Sequence, residues 1–135
     1  MVMIRTQSEM AITFSRFFKK AELRCRCGYD EVKMDEKFLA KLDTLRSRYG
    51  KPIVLSSAYR CPKHNESQGG VVDSPHTQGI AVDILVNGND AHHLLGLIMQ
   101  MDFKGVGISQ KGDHKARFIH VDDKIEGTRP WVWSY

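Results

Sequence analysis

The stretch "DSPHTQGIAVDIL", residues 73–85, sets a histidine, a glycine and an aspartate before and inside an apolar run. A strand formed only to bury apolar surface needs neither His76 ahead of it nor a carboxylate, Asp83, within it. A metal site at the start of a strand would explain both. Side chains alternate along a strand, so Ala81 and Asp83 share one face, and Gly79 leaves room there for a ligand or a close backbone approach. A histidine nitrogen and a carboxylate oxygen both suit Zn²⁺, at about 2.0–2.2 Å. A third ligand is required, and His120 in "FIHVDD" is the obvious donor. Three protein ligands with one open position describe a catalytic rather than a structural zinc site. Taken singly, a histidine in an apolar strand is more often a satisfied core residue, so the weight lies in the joint pattern.

The rest of the chain agrees with a small enzyme-sized domain. Its 135 residues, 41% hydrophobic and 27% charged, are expected to form a single domain, residues 1–135, able to bury a core. A net charge of +4 is spread thinly, with no Lys/Arg run longer than two. That disfavours nucleic acid as a partner and is compatible with approach to an anionic wall polymer. No apolar stretch approaches the ~20 residues of a membrane span. The N-terminus lacks a secretory signal pattern, so cytoplasmic synthesis is expected, with any action outside the cell depending on another route. A monomer is expected.

Apolar residues at Phe38, Leu39, Leu42 and Leu45 mark a helix capped by Asp35 and stopped by Gly50. A short helix is expected over residues 13–20, starting near Thr13 or Ser15, and a turn around Gly28. Strands are expected in "KPIVLSSAYR", "GIAVDILV", "GVGIS" and "RFIHVDD", with a helix in "DAHHLLGLIMQM". Residues 61–75 read as a long loop, and the aromatic tail "GTRPWVWSY" as packing back on the body. The order predicts an α+β fold with a small, mostly antiparallel sheet flanked by helices. Of His92 and His93, one is expected to face solvent and the other to pack. Trp131 and Trp133 read as core or rim residues.

"SPHTQGIAVD" resembles the S-x-H-x-x-G-x-A-x-D motif of the zinc D-alanyl-D-alanine peptidase superfamily. That superfamily includes peptidoglycan carboxypeptidases and dipeptidases, phage L-alanyl-D-glutamate endolysins and the zinc-containing hedgehog signalling domain. "SSAYRCPKHN", "GVGIS" and "FIHVDD" follow in the order of its small peptidase-like branch, so the resemblance runs from about residue 13 to the end. It implies the hedgehog and D,D-peptidase type of fold, with His76, Asp83 and His120 as zinc ligands. Arg60 matches the arginine that holds a substrate carboxylate or carbonyl, or stabilises charge on the attacked carbonyl, for which a planar guanidinium is suited. Ser74 is expected to order the loop around His76. The better-known branches carry an acid or histidine two or three residues before the last zinc histidine, where this chain has Phe118 and Arg117. Asp122, two residues after His120 on the same face, is preferred as general base, with His114 in reserve; Asp113 lies in the same loop. Asp122 could instead orient a ligand histidine.

The implied function is zinc-dependent hydrolysis of an amide in the stem peptide of bacterial cell wall, of carboxypeptidase or endolysin type. Phage lysis, a phage tail or non-classical export would place it at the wall. The alternative is a catalytically silent zinc-containing binding or phage structural module. Separately, Cys25, Cys27, Cys61 and His64 supply the donors of a closed Cys3His zinc site. Buried free thiols with His64 at the surface are preferred over that second ion.

Overall fold

The computed structural model describes residues 15–28, 32–69 and 74–135. Its elements, in order, are α1 (Lys20–Leu23), α2 (Glu36–Tyr49), β1 (Val54–Ser57), α3 (Pro62–Ser67), β2 (Ala81–Leu85), α4 (Gly88–Met99), β3 (Gly105–Ser109), a 3-10 turn (His114–Ala116), β4 (Phe118–Asp122) and β5 (Trp131–Ser134).

The best-marked helix forms as its caps dictate. Asp35 accepts the Phe38 N–H at 2.9 Å, satisfying one of the free donors at the start of α2. Gly50 closes the helix in the left-handed region at φ +73°, where a side chain would be strained. Between the caps, Phe38, Leu39, Leu42 and Leu45 are fully buried and face the sheet's apolar side.

The strands run in the order β1-β2-β4-β3-β5. β1–β2, β2–β4 and β4–β3 are antiparallel, but β5 lies parallel to β3, so the sheet is mixed rather than mostly antiparallel. The tail that was expected to pack back does so as this edge strand. Alternation divides the sheet into two faces. Val82, Ile84, Val106, Ile119 and Val121 join Leu94 and Ile98 of α4 and the α2 stripe in one core. The opposite face carries the polar residues. There, Ser57, Asp83, His120, Gly107 and Trp133 form one cross-strand row, each paired with the next.

Two expected elements differ. Residues 15–19 are not helical, and Thr13 lies outside the described residues. Ser15 Oγ accepts the Phe18 N–H at 2.9 Å, and Asp43 of α2 accepts the N–H groups of Arg16 and Phe17, so local and tertiary bonds replace helical ones. The expected loop 61–75 contains α3, with Pro62 as its first residue, where a missing N–H costs nothing. Residues 70–73 lie outside the described residues.

Candidate metal centre

The register of the sheet brings the expected ligands together. Asp83 and His120 are direct cross-strand partners, and such side chains start about 4.5–5.5 Å apart at Cβ. His120 Nδ1 lies 2.8 Å from Asp83 Oδ1, and His76 Nε2 lies 3.3 Å from the same oxygen. All three ligand atoms fall within 4.8 Å of one another. His76 arrives from the turn before β2, which Ser74 orders by accepting the His76 N–H at 3.3 Å. Gly79 ends that turn at φ +71°, and a Cβ there would meet Lys33 O at 1.7 Å. Its role is therefore close backbone approach, sealed by the Asp35 N–H donating to Gly79 O at 2.9 Å.

The outer hydrogen bonds decide which ring nitrogens are free. His76 Nδ1 sits 2.8 Å from Ala58 O, which can only accept, so Nδ1 carries a proton and Nε2 faces Asp83. His120 Nε2 sits 2.6 Å from Asp122 Oδ2, so a proton there leaves Nδ1 facing Asp83. With neutral rings, two nitrogen lone pairs and a carboxylate oxygen then point at one another. Three acceptors this close repel unless protons or a cation lie among them, and a divalent cation fits the donor set. Burial would raise the Asp83 carboxyl, but hydrogen bonds and charge from His120 and His76 outweigh it and hold it well below the usual carboxylate range. Burial would lower the His120 ring, yet Asp122 and Asp83 raise it above its ordinary value.

Asp122 occupies a place that spacing could not show. It shares the face of His120 but lies behind the ring, fully buried, on the nitrogen turned away from Asp83. Its other oxygen accepts from Arg129 at 2.9 Å and from the Lys124 N–H at 3.0 Å. Burial would raise its carboxyl, but the His120 bond and charge, the Lys124 N–H and Arg129 lower it. Asp122 thus fits the orienting alternative, not that of a base facing solvent.

Arg129 was missed by the sequence reading. Its guanidinium packs over Trp131 and Trp133, at 4.9 and 5.6 Å from the ring centroids. The usable signal was "GVG": a Cβ on Gly105 would fall 2.3 Å from Arg129 and 2.5 Å from Asp122. Gly107 similarly makes room for Trp133, whose ring lies 5.3 Å from that of His120.

Arg60 stands beside the centre. It donates to Ser57 Oγ at 3.4 Å and Asn65 Oδ1 at 3.1 Å, and its backbone N–H donates to His76 O at 3.1 Å. No ion pair among the described residues involves it. His114 is exposed in the 3-10 turn and makes no ion pair with the three donors; Asp113 caps that turn through the Lys115 N–H at 3.0 Å. His92 and His93 are both exposed, so neither is packed away, although His93 lies 5.5 Å from the Tyr49 ring. The cysteines and His64 gather elsewhere, beyond β1.

Two histidines and an aspartate thus converge on one sheet face, with donor atoms close enough to hold one metal ion. The family model described as Peptidase M15 matches residues 16–122, well over half of the chain. The chain belongs to that family, within the zinc D-alanyl-D-alanine peptidase superfamily of metallopeptidases. No curated protein matches it. No helix among the described residues is long and apolar enough to cross a membrane.

Proposed function

We propose that this protein is a zinc peptidase that hydrolyses an amide bond in peptidoglycan stem peptides. The convergence of His76 Nε2, Asp83 Oδ1 and His120 Nδ1, each fixed from behind or across the sheet, is the observation that carries the reading. When bound, zinc supplies Lewis-acid polarisation of a carbonyl and acidification of water. The remaining work belongs to the chain. Asp122, backed by Arg129, keeps the His120 proton on Nε2 and the lone pair on Nδ1. Ala58 O does the same for His76. Arg60, with no carboxylate partner among the described residues, presents a guanidinium for a peptide carboxylate or a developing oxyanion. Trp133 and Tyr135 wall the His120 side of the site, with rings 6.4 Å apart. The net charge of +4 favours approach to an anionic wall. Action at the wall, through phage lysis, a phage tail or export, belongs to the same proposal.

A second reading has a specific observation behind it. Among the described residues, the only carboxylates paired with the ligand histidines are Asp83 and Asp122, one a ligand and the other buried. A zinc-containing binding or phage structural module would need no further acid. Digestion of purified peptidoglycan separates the two readings. Released peptides from zinc-loaded protein, lost in His114→Ala with zinc retained, would mark a catalyst using His114 for proton transfer. Zinc-loaded protein that releases nothing from any wall type would mark the binding module.

A further inference from the structure

A second cluster of donors lies away from the sheet-face site, where the turn after α1 meets the start of α3. Cys61 Sγ is 3.6 Å from Cys25 Sγ and 3.5 Å from Cys27 Sγ. Ligand atoms of Cys25, Cys27 and His64 lie within 4.8 Å of one another. No disulfide joins these cysteines, for which the sulfurs would have to lie about 2.05 Å apart. Tetrahedral zinc, with Zn–S bonds of about 2.3 Å, sets its sulfur ligands about 3.8 Å apart, close to the spacing seen here.

The surroundings are built rather than incidental. Cys25 is fully buried and Cys61 is nearly so, which shields the sulfur cluster from open solvent. Arg26, between the first two cysteines, pins the turn by donating to Arg24 O at 2.9 Å and to Glu22 O and Leu55 O at 3.0 Å. Cys61 caps α3, which places His64 one turn along the same short helix. Lys33 and Lys63 line the adjoining cavity of about 660 Å³ and offset negative charge there.

We infer that Cys25, Cys27, Cys61 and His64 hold a second, structural zinc ion, distinct from the ion of the peptidase site. Binding releases the three thiol protons to solvent; three thiolates and a neutral imidazole on a divalent ion leave one net negative charge. The ion ties the α1 turn to the strand end that carries Arg60. The Tyr59 N–H donating to Leu23 O at 3.0 Å already joins these segments at the backbone.

Elemental analysis of the purified full chain tests this. Wild type should carry two zinc ions, the His76→Ala/Asp83→Ala variant one, and the Cys25→Ser/Cys27→Ser variant one. Should the cysteine variant fail to fold, titrating wild type with an organomercurial thiol reagent should release one zinc and leave the other. Cobalt-substituted protein should show thiolate-to-metal charge transfer, which His64→Cys keeps and Cys61→Ser diminishes. The inference is overturned by a zinc content that mercurial titration leaves unchanged. It is equally overturned by thiols that all react freely in zinc-loaded protein, or by a mass two daltons low from a Cys25–Cys61 or Cys27–Cys61 disulfide. None of these results depends on peptidase activity, so the inference can fail while the proposed function stands.

Discussion

Replacing Asp122 by Asn tests the assignment of that residue as an orienting group. The substitution keeps the shape and removes the charge, and two partners feel it. His120 loses the carboxylate that holds its Nε2 proton at 2.6 Å, and loss of such a partner weakens metal binding by about 10–100-fold. Tenfold corresponds to about 1.4 kcal/mol, so the zinc affinity should fall by about 1.4–2.8 kcal/mol. Arg129, whose side chain is only 9% exposed, loses its 2.9 Å ion pair. Leaving one charge of a buried pair behind costs about 3–5 kcal/mol of stability. The aromatic rings over the guanidinium and the longer Glu126 contact, at 3.9 Å, offset part of this cost, so the low end, about 3 kcal/mol, is expected. Chelator competition reads the first effect, and urea denaturation of metal-free protein the second. Asp122→Asn combined with Arg129→Gln should cost less than the sum of the single changes, because the double variant leaves no charge stranded. An Asp122→Asn protein with wild-type zinc affinity and stability, but with turnover abolished, would refute the reasoning and return Asp122 to the role of base.

Further expectations bear on the rest of the site. Gly107→Ala puts a methyl 2.6 Å from Trp133 Nε1, so it should destabilise by about 1–3 kcal/mol and shift tryptophan fluorescence as β5 moves. Arg60→Lys keeps the charge but loses the paired donors, so KM for a carboxylate-bearing peptide should rise with zinc content unchanged. Leu42→Ala, in the fully buried stripe of α2, should cost about 2–5 kcal/mol by urea denaturation while leaving zinc affinity unaltered. In metal-free protein, Asp83 and Asp122 titrate below their usual range, so their contribution is present above about pH 4 and lost as pH falls through the folded values. His120 titrates above its usual value, so its contribution is full below about pH 6.5 and lost as pH rises through the folded value. Metal-free stability should therefore peak between these limits, while the stabilisation added by zinc should grow with pH, as urea midpoints measured with and without zinc would show.

The candidate metal donors could be brought together from the sequence because each lies on or next to a strand whose alternation fixes its face. Asp83 and His120 needed only the pairing of β2 with β4 to meet, and His76 joins them from the turn that leads into β2. α2 was legible from its own caps and stripe, all local features. What local pattern could not supply was the direction of Asp122. Period two places it on the right face, but Arg129, in the irregular segment after β4, pairs with it behind His120 in the space left by Gly105. α3 was hidden because six residues give no apolar period, although Pro62 after Cys61 was a start signal that a loop reading absorbed. The parallel placement of β5 depends on pairing with β3 across an intervening strand, a nonlocal choice that the aromatic tail does not announce.

The most direct test of the central claim is mass spectrometry of peptides released from purified peptidoglycan by the zinc-loaded protein and by its His76→Ala variant. The account predicts products of one defined amide cleavage from the wild type and none from the variant. Zinc bound at His76, Asp83 and His120, with no product from any wall chemistry, would contradict it.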